Sequence, residues 1–312
     1  MRISKLYKDF DLSAYRASSM KIKTSLAIGI LIVALFVAGC SHAPQEQKDK
    51  KLNVIVSILP QKAFVKAVGG DFVNVKELIP PGASPETYNP SPSDLKAVEK
   101  ANIYFRIGYI PFEKSHVKKL AELNPNMKIV DTSANIQMKT FDEHDVDEEE
   151  GADPHIWLSP QLVKTQIDTI VQTLSQKDPA HADIYNENAR NYKKQLDELD
   201  FEIKTELKDV NVTDLMVFHP AWGYFADEFS LKEIPIEQSG KEPTAKQLQD
   251  IIIKAKENNI KVIFVSPEFD KNIAKSLADE VGASVVSIDP LSEDYINNLR
   301  NVAVTIAESL NK

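Results

Sequence analysis

A single cysteine in a chain of 312 residues excludes an internal disulfide and any metal site built from several thiolates. Excess basic charge is also missing. The formal net charge is −9, which disfavours nucleic acid and anionic lipid surfaces and attracts cations. No HExxH helix and no nucleophile elbow occurs, so the common signatures of zinc proteases and serine hydrolases are absent. The only long apolar run, Ser25–Gly39 (SLAIGILIVALFVAG), is too short to span a bilayer comfortably. No residue-level repeat is visible either.

The apolar run has a specific context. Lys21 and Lys23 precede it, and it ends in Val37-Ala38-Gly39-Cys40, the layout of a signal-peptide core. Small residues ahead of a lone cysteine resemble the lipobox of bacterial-type lipoproteins. That resemblance implies cleavage after residue 39, lipidation of Cys40 and a membrane tether on the extracytoplasmic side. Met20 stands just before the basic pair and is a second candidate start. Six basic and two acidic residues precede Cys40, so the mature chain carries a formal charge of −13. Residues 40–51 are mostly polar and read as a flexible tether.

From residue 52 onward, strand and helix patterns alternate, the mark of α/β architecture with mainly parallel sheets. Four strands are expected in each half: Leu52–Ile58, Val73–Ile79, Ile103–Ile107 and Lys128–Val130, then Leu215–Phe218, Glu233–Ile236, Val262–Val265 and Ser284–Ile288. Between the halves, Ser159-Pro160 opens one helix and Asp178-Pro179 a longer one that runs to about Lys208. Its apolar positions, from Tyr185 and Ala189 to Ile203 and Leu207, recur every three or four residues on one face. The expected molecule has an N-terminal α/β lobe (52–158), linking helices (159–209) and a C-terminal α/β lobe (210–312), with each four-stranded sheet flanked by helices and a long rigid helix joining the two.

Open α/β sheets bind ligands just beyond their strand ends, and four metal-ligand residue types sit there: Glu86, His155, His219 and Asp289. His155 lies between Pro154 and Pro160 in a stiff loop. His219 follows a strand and precedes Pro220, and Asp289 precedes Pro290 in the same way. Two imidazoles and two carboxylates form a normal shell for a divalent transition metal. Position alone also fits a helix cap for Asp289 and a solvated surface carboxylate for Glu86. Glu268, in Ser266-Pro267-Glu268, reads as a spare ligand, a partner for an imidazole N–H or a helix-start carboxylate. The run 141–150 (FDEHDVDEEE) reads as a solvated charge run.

Four segments carry a wider resemblance: Pro80-Pro-Gly-Ala-Ser-Pro-Glu-Thr-Tyr88, Asp153-Pro-His-Ile-Trp-Leu158, Phe218-His-Pro-Ala-Trp-Gly-Tyr-Phe225 and Ile288-Asp-Pro-Leu291. In order, they resemble the metal-site segments of the zinc/manganese-type solute-binding proteins of ABC metal importers (cluster A-I), over essentially all of residues 52–312. The resemblance implies a monomeric receptor that binds one metal between its lobes and hands it to an ABC permease. It places Glu86 where the family commonly has histidine, and His155, His219 and Asp289 on the other three ligand positions. Two carboxylates offset the ion's charge and add oxygen donors. They move the preference from Zn²⁺ toward Mn²⁺ or iron, although Zn²⁺ still binds more tightly than either. Zinc is expected first and manganese next. Both imidazoles must be neutral to ligate, so affinity should fall below about pH 6 to 6.5. The alternatives are a secreted metal-dependent hydrolase, with Glu268 as its base, and a lipoprotein adhesin.

Overall fold

The computed structural model describes residues 51–141, 151–237, 243–269 and 271–311. The expected signal segment, Cys40, the tether up to Lys50 and residues 142–150 of the acidic run lie outside the described residues.

Short β-branched and aromatic runs form the strands. β1 (Leu52–Val56), β2 (Val73–Glu77), β3 (Ile103–Arg106) and β4 (Lys128–Asp131) make a parallel sheet in the order β2-β1-β3-β4. Parallel pairing requires crossovers. Here α1 (Leu59–Gly69), α2 (Pro92–Val98) and α3 (Pro111–Leu123) supply them. Each of these helices has a proline in its first turn, where no intrahelical N–H is lost. Ser91 and Asp94 add a reciprocal capping box to α2.

The middle of the chain is helical. α4 (Pro160–Lys177) is capped by the Ser159 hydroxyl, which accepts from the Leu162 N–H at 3.0 Å. The long helix expected from Pro179 begins instead as a 3-10 turn, Pro179–His181, and continues as α5 (Ala182–Leu207), 26 residues, roughly 39 Å at 1.5 Å per residue. Its predicted apolar face is buried throughout, and Asp200 is buried on it as well.

The second half repeats the first. β5 (Asp214–Val217), β6 (Lys232–Pro235), β7 (Val262–Val265) and β8 (Ser284–Ser287) form a parallel sheet in the order β6-β5-β7-β8. α6 (Gly223–Glu228), α7 (Ala245–Glu257), α8 (Lys271–Val281) and α9 (Tyr295–Leu310) accompany it. The pairing ends one or two residues earlier than expected in six strands, because the last apolar residues turn into the loops beyond the sheet. Pro235 is tolerated because β6 is an edge strand.

The protein is therefore α/β, with two lobes of four parallel strands joined by a long helix. Side-chain alternation divides the second sheet between two cores. Leu215 and Val217 of β5 point into the main core, which runs from the first sheet through α4, α5 and α9. Met216 and Phe218 point the other way, into a smaller core with Ile234, Ile263, Val265, Ala274 and Leu277.

Candidate metal centre

The parallel register builds the first half of the site. Val217 pairs with Pro235, so two residues further on His219 and Glu237 lie side by side. The Glu237 N–H donates to the Phe218 carbonyl at 2.9 Å, and His219 Nδ1 lies 2.9 Å from Glu237 Oε2. Both residues are buried. With Nδ1 donating to the carboxylate, the other ring nitrogen, Nε2, keeps its lone pair. It faces Glu86 Oε1 at 3.2 Å, a contact from the first lobe to the second. Phe269 stacks on the same imidazole, with centroids 4.7 Å apart.

His155 is oriented by a local device. It precedes the 3-10 turn Ile156–Leu158. Asp153 Oδ1 accepts from the His155 backbone N–H at 2.9 Å and lies 2.7 Å from Nδ1. The carboxylate thus occupies Nδ1 and leaves Nε2 for a ligand. The two imidazole centroids are 5.4 Å apart. Tyr224 of the second lobe donates its hydroxyl to the Asp153 carbonyl at 3.0 Å and accepts from the Lys139 N–H at 2.8 Å. Gly223 permits a close approach behind His155. A Cβ there would sit 3.2 Å from both Asp153 Oδ2 and Glu233 Oε2. Burial, with Asp153 adding to it, pushes the Glu233 carboxyl up to about 8, while the Trp222 N–H opposes the shift.

The two remaining predicted ligands differ in setting. Glu86 sits in the proline-rich loop after β2. Burial foremost, and Glu237 further, raise its pKa against the opposing pull of His219. Asp289 lies two residues past β8. Its Oδ1 accepts from the Leu291 N–H at 2.7 Å, and burial raises its pKa. Trp157 Nε1 donates to the Pro290 carbonyl at 2.7 Å, which ties the Asp289 loop to the His155 turn.

A cavity of about 600 Å³ is lined by Glu86, His155, His219 and Glu268, with Phe141, Trp157 and Phe269 as apolar walls. Asp289 lines an adjoining cavity of about 350 Å³, together with Glu268. The structure thus brings three of the four predicted ligands onto one cavity and leaves Asp289 on the next. Among the described residues, no three His, Cys, Asp or Glu side chains converge closely enough to hold a metal ion together. Sequence reasoning missed Asp153 and Glu237 as imidazole partners. The Asp-Pro-His spacing was a usable signal for the first, whereas the second required the strand register.

Two parallel-sheet lobes joined by a long helix, with paired imidazoles and carboxylates at the strand ends, define a solute-binding protein for metal ions. Residues 54–309 match the family described as zinc-uptake complex component A, periplasmic, and the chain belongs to that family. It is 29% identical over 280 residues to the high-affinity zinc uptake system protein ZnuA of Bacillus subtilis, covering 84% of this chain and 88% of that protein. The crystal structure of a zinc-bound ZnuA deletion mutant superimposes with a TM-score of 0.79 at 38% identity, covering 84% of this chain and 98% of that one. The laminin-binding protein Lmb of Streptococcus agalactiae, described as both adhesin and metal transporter, gives 0.73 at 26% identity, covering 84% and 100%. The family is the solute-binding part of an uptake system and not an enzyme, which sets aside the hydrolase alternative.

Proposed function

We propose that this chain captures one divalent transition metal, zinc first and manganese next, and delivers it to an ABC permease. Glu86, His155, His219 and Asp289 are the proposed ligands, with residues 52–158 and 210–312 as the two lobes and 159–209 as the linking helices. Cys40 would tether the monomer to the outer face of the membrane through lipid. One observation carries this reading. Both imidazoles give Nδ1 to a buried carboxylate, and His219 Nε2 meets Glu86 across the lobes. This is how metal-ligating histidines are normally oriented. The zinc-bound relative at 38% identity supports zinc as the cargo.

Binding to the folded state raises stability by RT ln(1 + [L]/Kd), about 2.7 kcal/mol at a hundredfold excess over Kd. Metal-stripped protein should therefore melt several degrees higher with Zn²⁺, and less so with Mn²⁺. No shift with either metal would sink the proposal. The similarity to Lmb motivates a second reading, that the chain is also an adhesin. Surface-attachment assays on a strain lacking the protein would test it, and unchanged attachment would count against it.

A further inference from the structure

Glu268 has no assigned role, yet it occupies the pivotal position between the two cavities. It lines the larger one with Glu86, His155 and His219, and the smaller one with Asp289. Its Oε2 is shielded from solvent and has no hydrogen-bond partner among the described residues. A buried carboxylate oxygen without a partner is unfavourable unless a proton, a water or a cation fills the gap.

Serving an imidazole N–H is not its task. Asp153 already holds Nδ1 of His155, and Glu237 holds Nδ1 of His219. The loop is nevertheless registered to the ligands, because the next residue, Phe269, stacks directly on His219. Two carboxylates that line one cavity, one of them lining the histidine cavity as well, have the chemistry of a shared cation site.

We propose that Glu268 coordinates the captured cation directly, bridging the cavity of Glu86, His155 and His219 to Asp289. Drawn together by the cation, two imidazoles and three carboxylates would then supply five protein donors instead of four. Oxygen donors and a higher coordination number suit Mn²⁺ better than a compact tetrahedral set does. The inference rests on the metal-receptor reading above.

The test uses the mature chain, stripped of metal, with Zn²⁺, Mn²⁺ and Co²⁺ as probes. Glu268→Gln keeps the shape of the side chain and removes its charge. The expected result is at least a tenfold loss of Zn²⁺ affinity and a larger loss for Mn²⁺. The visible absorption of bound Co²⁺ should also strengthen, as a five-donor site becomes tetrahedral. Glu268→Asp, which keeps the charge on a shorter arm, should move both readouts in the same direction by less. Wild-type affinities with superimposable Co²⁺ spectra in both variants would overturn the proposal. If Glu268→Gln fails to fold, the Glu268→Asp comparison decides alone. Failure of the wild type itself to take up any of the three ions would instead overturn the metal-receptor reading.

Discussion

The two lobes have the same strand order, β2-β1-β3-β4 against β6-β5-β7-β8, but they are held differently. The first sheet belongs to a core that continues through α4, α5 and α9 into one face of the second sheet. The other face of the second sheet has a small core of its own with α8. The candidate ligands divide unequally over this arrangement. Glu86 and His155 come from the first lobe, whereas His219, Glu268 and Asp289 come from loops after β5, β7 and β8. The second lobe carries most of the donors. A cation between them would link the separately cored layer to the rest of the molecule.

The largest expected break in this arrangement is His219→Ala. It removes the second-lobe imidazole that meets Glu86 of the first lobe and should lower Zn²⁺ affinity at least a hundredfold in a competitive chelator titration. His155→Ala should do the same from the other side. Next come the carboxylates behind the rings. Glu237→Gln and Asp153→Asn should each weaken binding by about ten- to a hundredfold. Glu237 is expected to matter more, because it lies across two strands and its loss frees the ring to turn. Asp153 also holds the His155 backbone N–H, so its loss should additionally loosen the turn, visible as faster amide exchange there.

A further variant changes selectivity. Glu86→His exchanges the oxygen donor of the first lobe for nitrogen and should raise the Zn²⁺/Mn²⁺ affinity ratio by roughly tenfold. Titrating both metals against wild type and variant gives the ratio, and an unchanged value would remove Glu86 from the ligand set. The smallest effect concerns protons. The Glu233 carboxyl is raised to about 8 in the folded state, so the folded chain binds its proton more tightly than the unfolded chain. That contribution to stability is fully present below about pH 4.5 and is lost as pH rises through about 8. Glu233→Gln should flatten the pH dependence of unfolding of metal-stripped protein by ~1 kcal/mol or more across this window. Denaturant titrations at pH 5 and pH 8 measure the difference.

Much of the fold was legible because its signals are local. Short β-rich runs bounded by turn residues located all eight strands, and Ser159-Pro160 located the start of α4. Strand ends were less legible, since Ile58, Phe218 and Ile288 continue the apolar pattern although the chain has left the ladder. The start of α5 was masked by the 3-10 turn at Pro179, which has the same residue preferences as a helix N-terminus. In the site, His155 and His219 stood out through the prolines beside them. Glu237 did not, because its meaning comes only from the register that sets β6 beside β5. Asp289 and Glu268 were visible as strand-end acids, but that Glu268 lines both cavities and Asp289 only the smaller one depends on loop packing that no spacing reveals.

The most direct test of the central claim is a crystal structure of the zinc-loaded protein with anomalous diffraction at the zinc edge. The account predicts one peak per chain between the lobes, about 2.0–2.2 Å from Nε2 of both His155 and His219 and from a Glu86 oxygen. A peak elsewhere, or none in protein shown to contain zinc, would contradict it.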